Sequence, residues 1–128
     1  MGSNSFTGTL PGPKVPNFEL EYFSVDDNSF TGTIPESIFN FKSAVHLGLS
    51  GNNFFGTIPE LLGFMSKLEY LFIGQNNFEP GPIPNFLVEL SNLHDLSLKD
   101  CDLTGTIPQF IGGMTKLELL DLRKFSGT

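Results

Sequence analysis

The sequence predicts a repeat solenoid of the α/β class, built from about five coils. One phrase, Asn-x-Phe-x-Gly-Thr-Leu/Ile-Pro, recurs at a spacing of 24 residues and is followed in the fourth coil by a version with one extra residue. The asparagines that open the first four coils are Asn4, Asn28, Asn52 and Asn76. A recurring unit of this length is typical of solenoids, in which each coil buries its apolar face against the next.

A short strand is predicted immediately before each coil ends. Three apolar residues recur there at positions i, i+3 and i+5, and the last two alternate with polar or small residues, which is the period of a strand. The triplets are Leu20/Phe23/Val25, Ala44/Leu47/Leu49, Leu68/Leu71/Ile73, Leu93/Leu96/Leu98 and Leu117/Leu120/Leu122. We therefore expect five strands, one per coil, that stack into a parallel sheet with the triplets turned inward.

The residues of the recurring phrase have separate structural roles. The asparagine is expected to bond the backbone of a tight turn, and the glycine to permit a turn that a side chain would obstruct. Each proline fixes φ where the convex segment begins and can occupy the first turn of a short helix. Apolar residues at i, i+3 and i+6, such as Leu62, Met65 and Leu68, predict a short 3₁₀ or α turn in that segment. One apolar residue per coil is expected to stack into a spine: Phe6, Phe30, Phe54, Phe78 and Leu103.

The combined pattern Leu-x-x-Leu-x-Leu-x-x-Asn-x-Phe-x-Gly-x-Ile-Pro covers almost the whole chain and is best seen in residues 68–90. It resembles the leucine-rich-repeat family, specifically its plant-type 24-residue class, which includes receptor-kinase ectodomains and polygalacturonase-inhibiting proteins. The resemblance implies a leucine-rich-repeat solenoid with a parallel concave β-sheet and short 3₁₀ or α turns on the convex side. It also implies non-catalytic recognition of a protein partner on the concave sheet.

The same resemblance implies an extracellular or secretory location. The chain contains no signal segment, no N-glycosylation sequon and a single cysteine, and these absences weigh against that location.

Coil four departs from the repeat at two points. The residues 79–82, Glu-Pro-Gly-Pro, take the place of the usual Thr-Gly-Thr and add one residue. The next asparagine position therefore arrives 25 residues after Asn76 and holds Cys101. We expect this cysteine to face inward, to pack well and to bond weakly.

Both ends of the chain depart from the repeat too. In coil one, residues 13–16 contain two prolines and a lysine, which predicts an extended convex segment. Residues 124–128 match the recurring phrase with about two residues missing, and Met1 falls on a strand position. We expect residues 1–128 to form a single array, a fragment without N- or C-terminal caps, whose ends are covered by missing repeats or a neighbouring chain.

The exposed positions of the predicted sheet form the candidate binding site. Adjacent strands lie about 4.8 Å apart, so equivalent residues form a column: Tyr22, His46, Tyr70, Asp95 and Leu119. Grouped exposed aromatic residues are the usual anchors of a protein interface. The predicted partner-binding residues are Tyr22, His46, Tyr70, Phe72, Asp26, Lys99 and Arg123. The alternative is that the rings serve only cross-strand packing and that the charges are merely solvated.

Composition argues against several other functions. The net charge is −7 and no basic run exists, which argues against nucleic-acid binding. No apolar stretch approaches the ~18–20 residues of a membrane span. His46 and His94 are expected to lie about 10 Å apart, which is too far for a shared metal ion. We therefore predict no catalytic, cofactor-binding or metal-binding residues and no enzyme activity, and a protein as the partner.

Two other functions remain compatible with the sequence. The chain could be a structural accessory subunit, a short array embedded in a larger multiprotein assembly. The Thr-Gly-Thr rows at 7–9, 31–33 and 104–106 would instead suit ice binding, although Phe55 interrupts the row and the prolines of coil four abolish it.

Overall fold

The computed structural model of the protein describes residues 5–11 and 19–123. In chain order its strands are β1 (Thr7–Thr9), β2 (Tyr22–Ser24), β3 (Ser29–Gly32), β4 (His46–Gly48), β5 (Asn53–Gly56), β6 (Tyr70–Phe72), β7 (Asn77–Phe78), β8 (Gly81–Pro82), β9 (Asp95–Ser97), β10 (Leu103–Thr104) and β11 (Leu119–Asp121). Its helices are four 3₁₀ turns: η1 (Glu36–Asn40), η2 (Glu60–Phe64), η3 (Asn85–Glu89) and η4 (Gln109–Gly113).

The predicted parallel sheet is present and contains one strand from each coil. Its order is β2-β4-β6-β9-β11, and we call it the concave sheet. Tyr22 pairs with His46, His46 with Tyr70, and Tyr70 with Asp95, which is the predicted column. The inward-facing leucines of the three central strands are fully buried, whereas their counterparts Phe23 of β2 and Leu120 of β11 are only half-buried. The apolar triplets therefore set this register, because a shift by one residue would turn leucines to solvent.

A second parallel sheet occupies the segment for which we expected only a tight turn. It contains β1, β3, β5 and β7 in that order. In it the glycine of one coil pairs with the spine phenylalanine of the next, as in Gly32 with Phe54 and Gly56 with Phe78. Gly32 and Gly56 have φ of 88° and 83°, a conformation that favours glycine, and each ends its strand.

The extra residue of coil four divides its strand of the second sheet into two pieces. β7 pairs with β5 of coil three, whereas β8 pairs with β10 of coil five. Glu79 and Pro80 lie between the two pieces and belong to neither strand. The insertion is therefore a bulge at which the second sheet is interrupted.

Each 3₁₀ turn begins directly after a proline. Pro59 has an extended conformation (φ −67°, ψ 132°) and caps η2, so the proline precedes the first turn and does not lie within it as expected. Met65 N–H donates to Leu62 O (3.1 Å) and closes this turn. The residues predicted at i, i+3 and i+6, namely Leu62, Met65 and Leu68, are all fully buried.

A spine of rings crosses the coils between the two sheets, as predicted. The rings of Phe6 and Phe30 stack at 6.3 Å, and those of Phe30 and Phe54 stack at 6.5 Å. Phe78 and Leu103 continue the spine as buried side chains. Phe6 is 48% exposed, whereas the rest of the spine and the strand leucines form one continuous core.

The recurring asparagines are buried and join the two sheets. Asn52 Nδ2 donates to Val25 O (2.9 Å) of coil one and to Leu49 O (3.3 Å) of coil two, and both carbonyls lie just beyond concave strands. Asn52 Oδ1 accepts the N–H of Phe30 (3.1 Å) in the second sheet. Asn76 repeats the arrangement one coil later, with Leu49 and Phe54 as its partners. Each asparagine thus links two coils and two sheets, and we call the series the asparagine ladder.

Cys101 takes the ladder position that opens coil five. It is buried as predicted, and its Sγ donates one weak hydrogen bond to Ile73 O (3.6 Å). Burial, followed by the nearby Asp100 and Asp102 carboxylates, raises the pKa of the Cys101 thiol to about 12. The side chain is therefore an unreactive packing group.

The expectations for residues 13–16, 124–128 and Met1 lie outside the described residues. Within the described ranges, every helix is too short and too polar to cross a membrane.

The asparagine ladder generates the first prediction. Asn52→Ala leaves the Phe30 N–H without its partner and removes three further bonds, so it should lower the free energy of unfolding by about 2–4 kcal/mol. Asn53→Ala is the matched control, because Asn53 is exposed, and it should change stability by less than about 0.5 kcal/mol. Urea unfolding followed by circular dichroism gives both values. Equal losses in the two variants would contradict the ladder's role.

Candidate functional site

Five rings form a continuous strip on the exposed face of the concave sheet. The rings of Tyr22 and His46 stack at 4.2 Å, and the next steps are 6.0 Å from His46 to Tyr70 and 6.1 Å from Tyr70 to His94. Phe72 meets His46 edge-on at 5.3 Å. We call these five residues the aromatic row. The structure thus brings together four of the predicted site residues: Tyr22, His46, Tyr70 and Phe72.

His94 is the member of the row that sequence reasoning did not select. The backbone register pairs Tyr70 with Asp95, and the predicted column therefore continued to that aspartate. The ring of Tyr70 instead reaches diagonally to His94, one residue earlier in coil four. His94 directly precedes Asp95 in the sequence, so a search for rings beside the column, and not only within it, would have found it. Its Nε2 also lies 3.8 Å from Glu69 Oε1.

The residues of the aromatic row differ in their exposure to solvent. Tyr22 is 63% exposed, whereas His46, Tyr70, Phe72 and His94 are half-buried. Aromatic rings supply large contact areas and lose few rotatable bonds on binding. This arrangement can stack on apolar or aromatic groups of a partner and form hydrogen bonds with its polar groups through the tyrosine hydroxyls.

His46 is the electrostatically unusual residue of the row. Its Nε2 is fully buried without a hydrogen-bond partner in the described part of the chain, although the side chain as a whole is half-buried. Burial lowers the pKa of His46, and the nearby Asp26 carboxylate opposes that shift only in part. The fold therefore favours the neutral imidazole, which stacks between Tyr22 and Tyr70 without a charge to solvate.

Asp26 has a structural task beside the row. Its Oδ1 accepts the N–H of Ser50 (2.7 Å), and its Oδ2 accepts the hydroxyl of Ser24 (2.9 Å). A Cβ at position 48 would collide with the carboxylate of Asp26 and the hydroxyl of Ser24, which explains why Gly48 lies there. The predicted role of Asp26 in partner binding stays a prediction.

The two basic residues of the predicted site lie away from the row. Arg123 follows β11, at the opposite edge of the sheet from Tyr22, and Lys99 follows β9. The side chain of Arg123 is bound to Asp121, with Nη2 2.6 Å from Oδ2, and this bonding lowers the pKa of Asp121 to about 2. The structure therefore does not unite Lys99 and Arg123 with the aromatic row. No group of three or more metal-ligating side chains occurs within residues 5–11 and 19–123.

The lowered pKa of His46 generates the second prediction. Because protonation is disfavoured in the fold, the stabilising contribution of neutral His46 is complete above the ordinary value of about 6.5. It is lost as the pH falls through the lower pKa of the folded state. The wild-type chain should thus lose stability as the pH falls below about 6.5, and His46→Phe should lose less.

His94→Gln is the matched control for this experiment, because it removes the other imidazole of the row and keeps His46. It should retain the wild-type loss. Urea unfolding at a series of pH values measures the dependence, and an unchanged pH dependence in His46→Phe would contradict the assignment.

Comparisons with known proteins agree with the architecture. The chain superimposes with a TM-score of 0.87 on the plant peptide hormone receptor RGFR1 in complex with RGF2, at 34% identity over 99% of the chain. It superimposes with a TM-score of 0.88 on the ectodomain of the Arabidopsis receptor kinase HAESA in complex with an extended IDA peptide hormone, at 35% identity over 97% of the chain. The chain spans about a fifth of these two structures, 20% and 21% of their lengths.

A third structure is covered more fully. The ectodomain of the receptor kinase SOBIR1 from Arabidopsis thaliana is 29% identical, with a TM-score of 0.74, and the alignment covers 85% of the chain and 60% of SOBIR1. No curated protein matched the chain. The family model described as Leucine Rich Repeat matches residues 19–41, 43–65 and 92–114, which is more than half of the chain. The recurring phrase, the stacked parallel sheets and this match together show that the chain belongs to the leucine-rich-repeat family, in its plant-type form.

Proposed function

We propose that the chain is a non-catalytic recognition segment that binds a protein or peptide through the aromatic row of the concave sheet. The observation that carries the proposal is the continuity of the row: its rings extend across β2, β4 and β6 to the residue before β9, and its Tyr22 end is open to solvent. A strip of this kind offers the aromatic anchors that dominate the energy of protein interfaces.

The spacing of the row suits an extended peptide laid across the strands. Successive rings from His46 to Tyr70 and from Tyr70 to His94 are 6.0 and 6.1 Å apart. In an extended chain, side chains on the same face are separated by two residues, or about 6.6–6.8 Å. Alternate side chains of such a peptide can therefore contact successive rings, while the side chains between them face solvent.

The comparisons support a peptide or protein as the occupant. RGFR1 is described in complex with RGF2, and HAESA in complex with a peptide hormone. Both complexes are formed by receptors about five times as long as this chain. That this chain itself binds a peptide or protein is therefore our proposal.

The third prediction tests the row with a displayed library of random peptides selected on the 128-residue chain. Selected peptides should carry apolar or aromatic residues at alternate positions. Tyr70→Ala and Phe72→Ala should each weaken their binding by about tenfold or more, because each removes a central ring. Phe55→Ala is the matched control, since it also removes a solvent-accessible phenyl ring (49% exposed), but one that lies on the second sheet, and it should leave affinity unchanged.

Affinities are measured by fluorescence anisotropy with the selected peptides, and circular dichroism confirms that each variant is folded. If the library yields no binder, or if both row variants bind as the wild type does, recognition by the row is wrong. The chain would then fit the structural accessory role better.

A further inference from the structure

The bulge of coil four opens a second cleft that shares no residue with the aromatic row. Its volume is about 990 Å³, and it lies between the interrupted second sheet and the turns η2 and η3. Glu79 and Pro80, the residues between β7 and β8, form part of its wall, and Leu103 of β10 forms another part. The departure from the 24-residue spacing thus coincides with the cleft. We call it the bulge cleft.

The walls of the bulge cleft are mainly apolar. Phe64 is 68% exposed and Val88 is 48% exposed, and Phe86 lies half-buried between η2 and the core. Pro80 and Pro82 complete the apolar lining. Neighbouring apolar groups of this extent on a surface are typical of docking sites for other molecules.

Phe64 is not required by the fold. It occupies the last position of η2, and the corresponding positions of the other three turns hold Asn40, Glu89 and Gly113. Those residues are polar or lack a side chain, so the repeat does not need an aromatic ring there. At the preceding position, a Cβ in place of Gly63 would come within 3.2 Å of Phe86 Cβ, so the glycine lets Phe86 pack closely against η2.

The bulge cleft is also acidic. Glu60, Glu79 and Glu89 line it, and its lining among the described residues includes no lysine or arginine. All three carboxylates belong to exposed residues. The electrostatic field of three glutamates beside an apolar wall favours a ligand that combines apolar and cationic groups.

We propose that the bulge cleft docks a segment of a partner protein in which an apolar side chain is flanked by lysine or arginine. The apolar side chain lies against Phe64, Phe86 and the prolines, and the flanking cations meet the glutamates. The N–H groups of Glu79 and Gly81 are already bonded to Gly56 O and Asp102 O, so the side chains of the cleft carry the recognition. The proposal is independent of the aromatic row, because the two surfaces have no residue in common.

The test uses the full chain carrying Tyr70→Ala and Phe72→Ala, so that the aromatic row does not contribute. A displayed library of random peptides is selected on this protein. Selected peptides should be enriched in lysine and arginine beside an apolar centre, and their affinity should fall as salt is added. Phe64→Ala and Glu79→Lys, each added to the same background, should weaken binding by about tenfold or more.

Two matched variants control for general effects of truncation and charge. Phe55→Ala removes an exposed phenyl ring of coil three outside the cleft. Glu36→Lys reverses the charge that opens η1, the position equivalent to Glu60 of η2. Both should leave the affinity of the selected peptides unchanged. Peptides without basic enrichment, no selected peptide at all, or equal effects of cleft and control variants would each overturn the proposal.

Discussion

The buried asparagine side chain is the constraint on which the rest of the structure depends. A single Asn52 satisfies carbonyl groups just beyond two concave strands and the N–H of Phe30 in the second sheet. Without the Asn52 side chain, these buried backbone groups would lose their hydrogen bonds, at a cost of about 1–3 kcal/mol each. The turn held by the asparagine fixes where the concave strand ends and where the second sheet begins. The rings of Phe30 and Phe54 stack because the same turn repeats in each coil.

Because this turn is the same in each regular coil, the residues that can vary between coils lie elsewhere. The exposed residues of the concave sheet can vary without disturbing the ladder, since the inward-facing Leu47, Leu71 and Leu96 are the residues of these strands that pack in the core. Tyr22 and Tyr70 can thus be placed for recognition on a scaffold that does not need them. The bulge in coil four is a different kind of variation, because it changes the backbone itself and opens a cleft where the second sheet is interrupted.

The strand register of the concave sheet and the core residues were predictable from the sequence, because alternate side chains of a strand face the same side. Only one register turns all the apolar triplets inward. The second sheet was not predicted, since the pairing of Gly32 with Phe54 depends on the adjacent coil and not on the local phrase. His94 was missed because ring contacts follow side-chain reach and not backbone register. The insertion was visible in the sequence, but the cleft depends on how the strand divides around Glu79 and Pro80, which spacing alone does not give.

Amide hydrogen exchange measured by NMR on the intact chain tests the central role of the asparagine ladder most directly. Phe30 and Phe54 donate their N–H groups to Asn52 and Asn76, whereas the ladder position that would serve Phe78 holds Cys101. The ladder predicts that the amides of Phe30 and Phe54 exchange as slowly as those of the central concave strands, and that the amide of Phe78 exchanges faster. Equal protection of Phe78 and Phe54, or rapid exchange at Phe30, would contradict it.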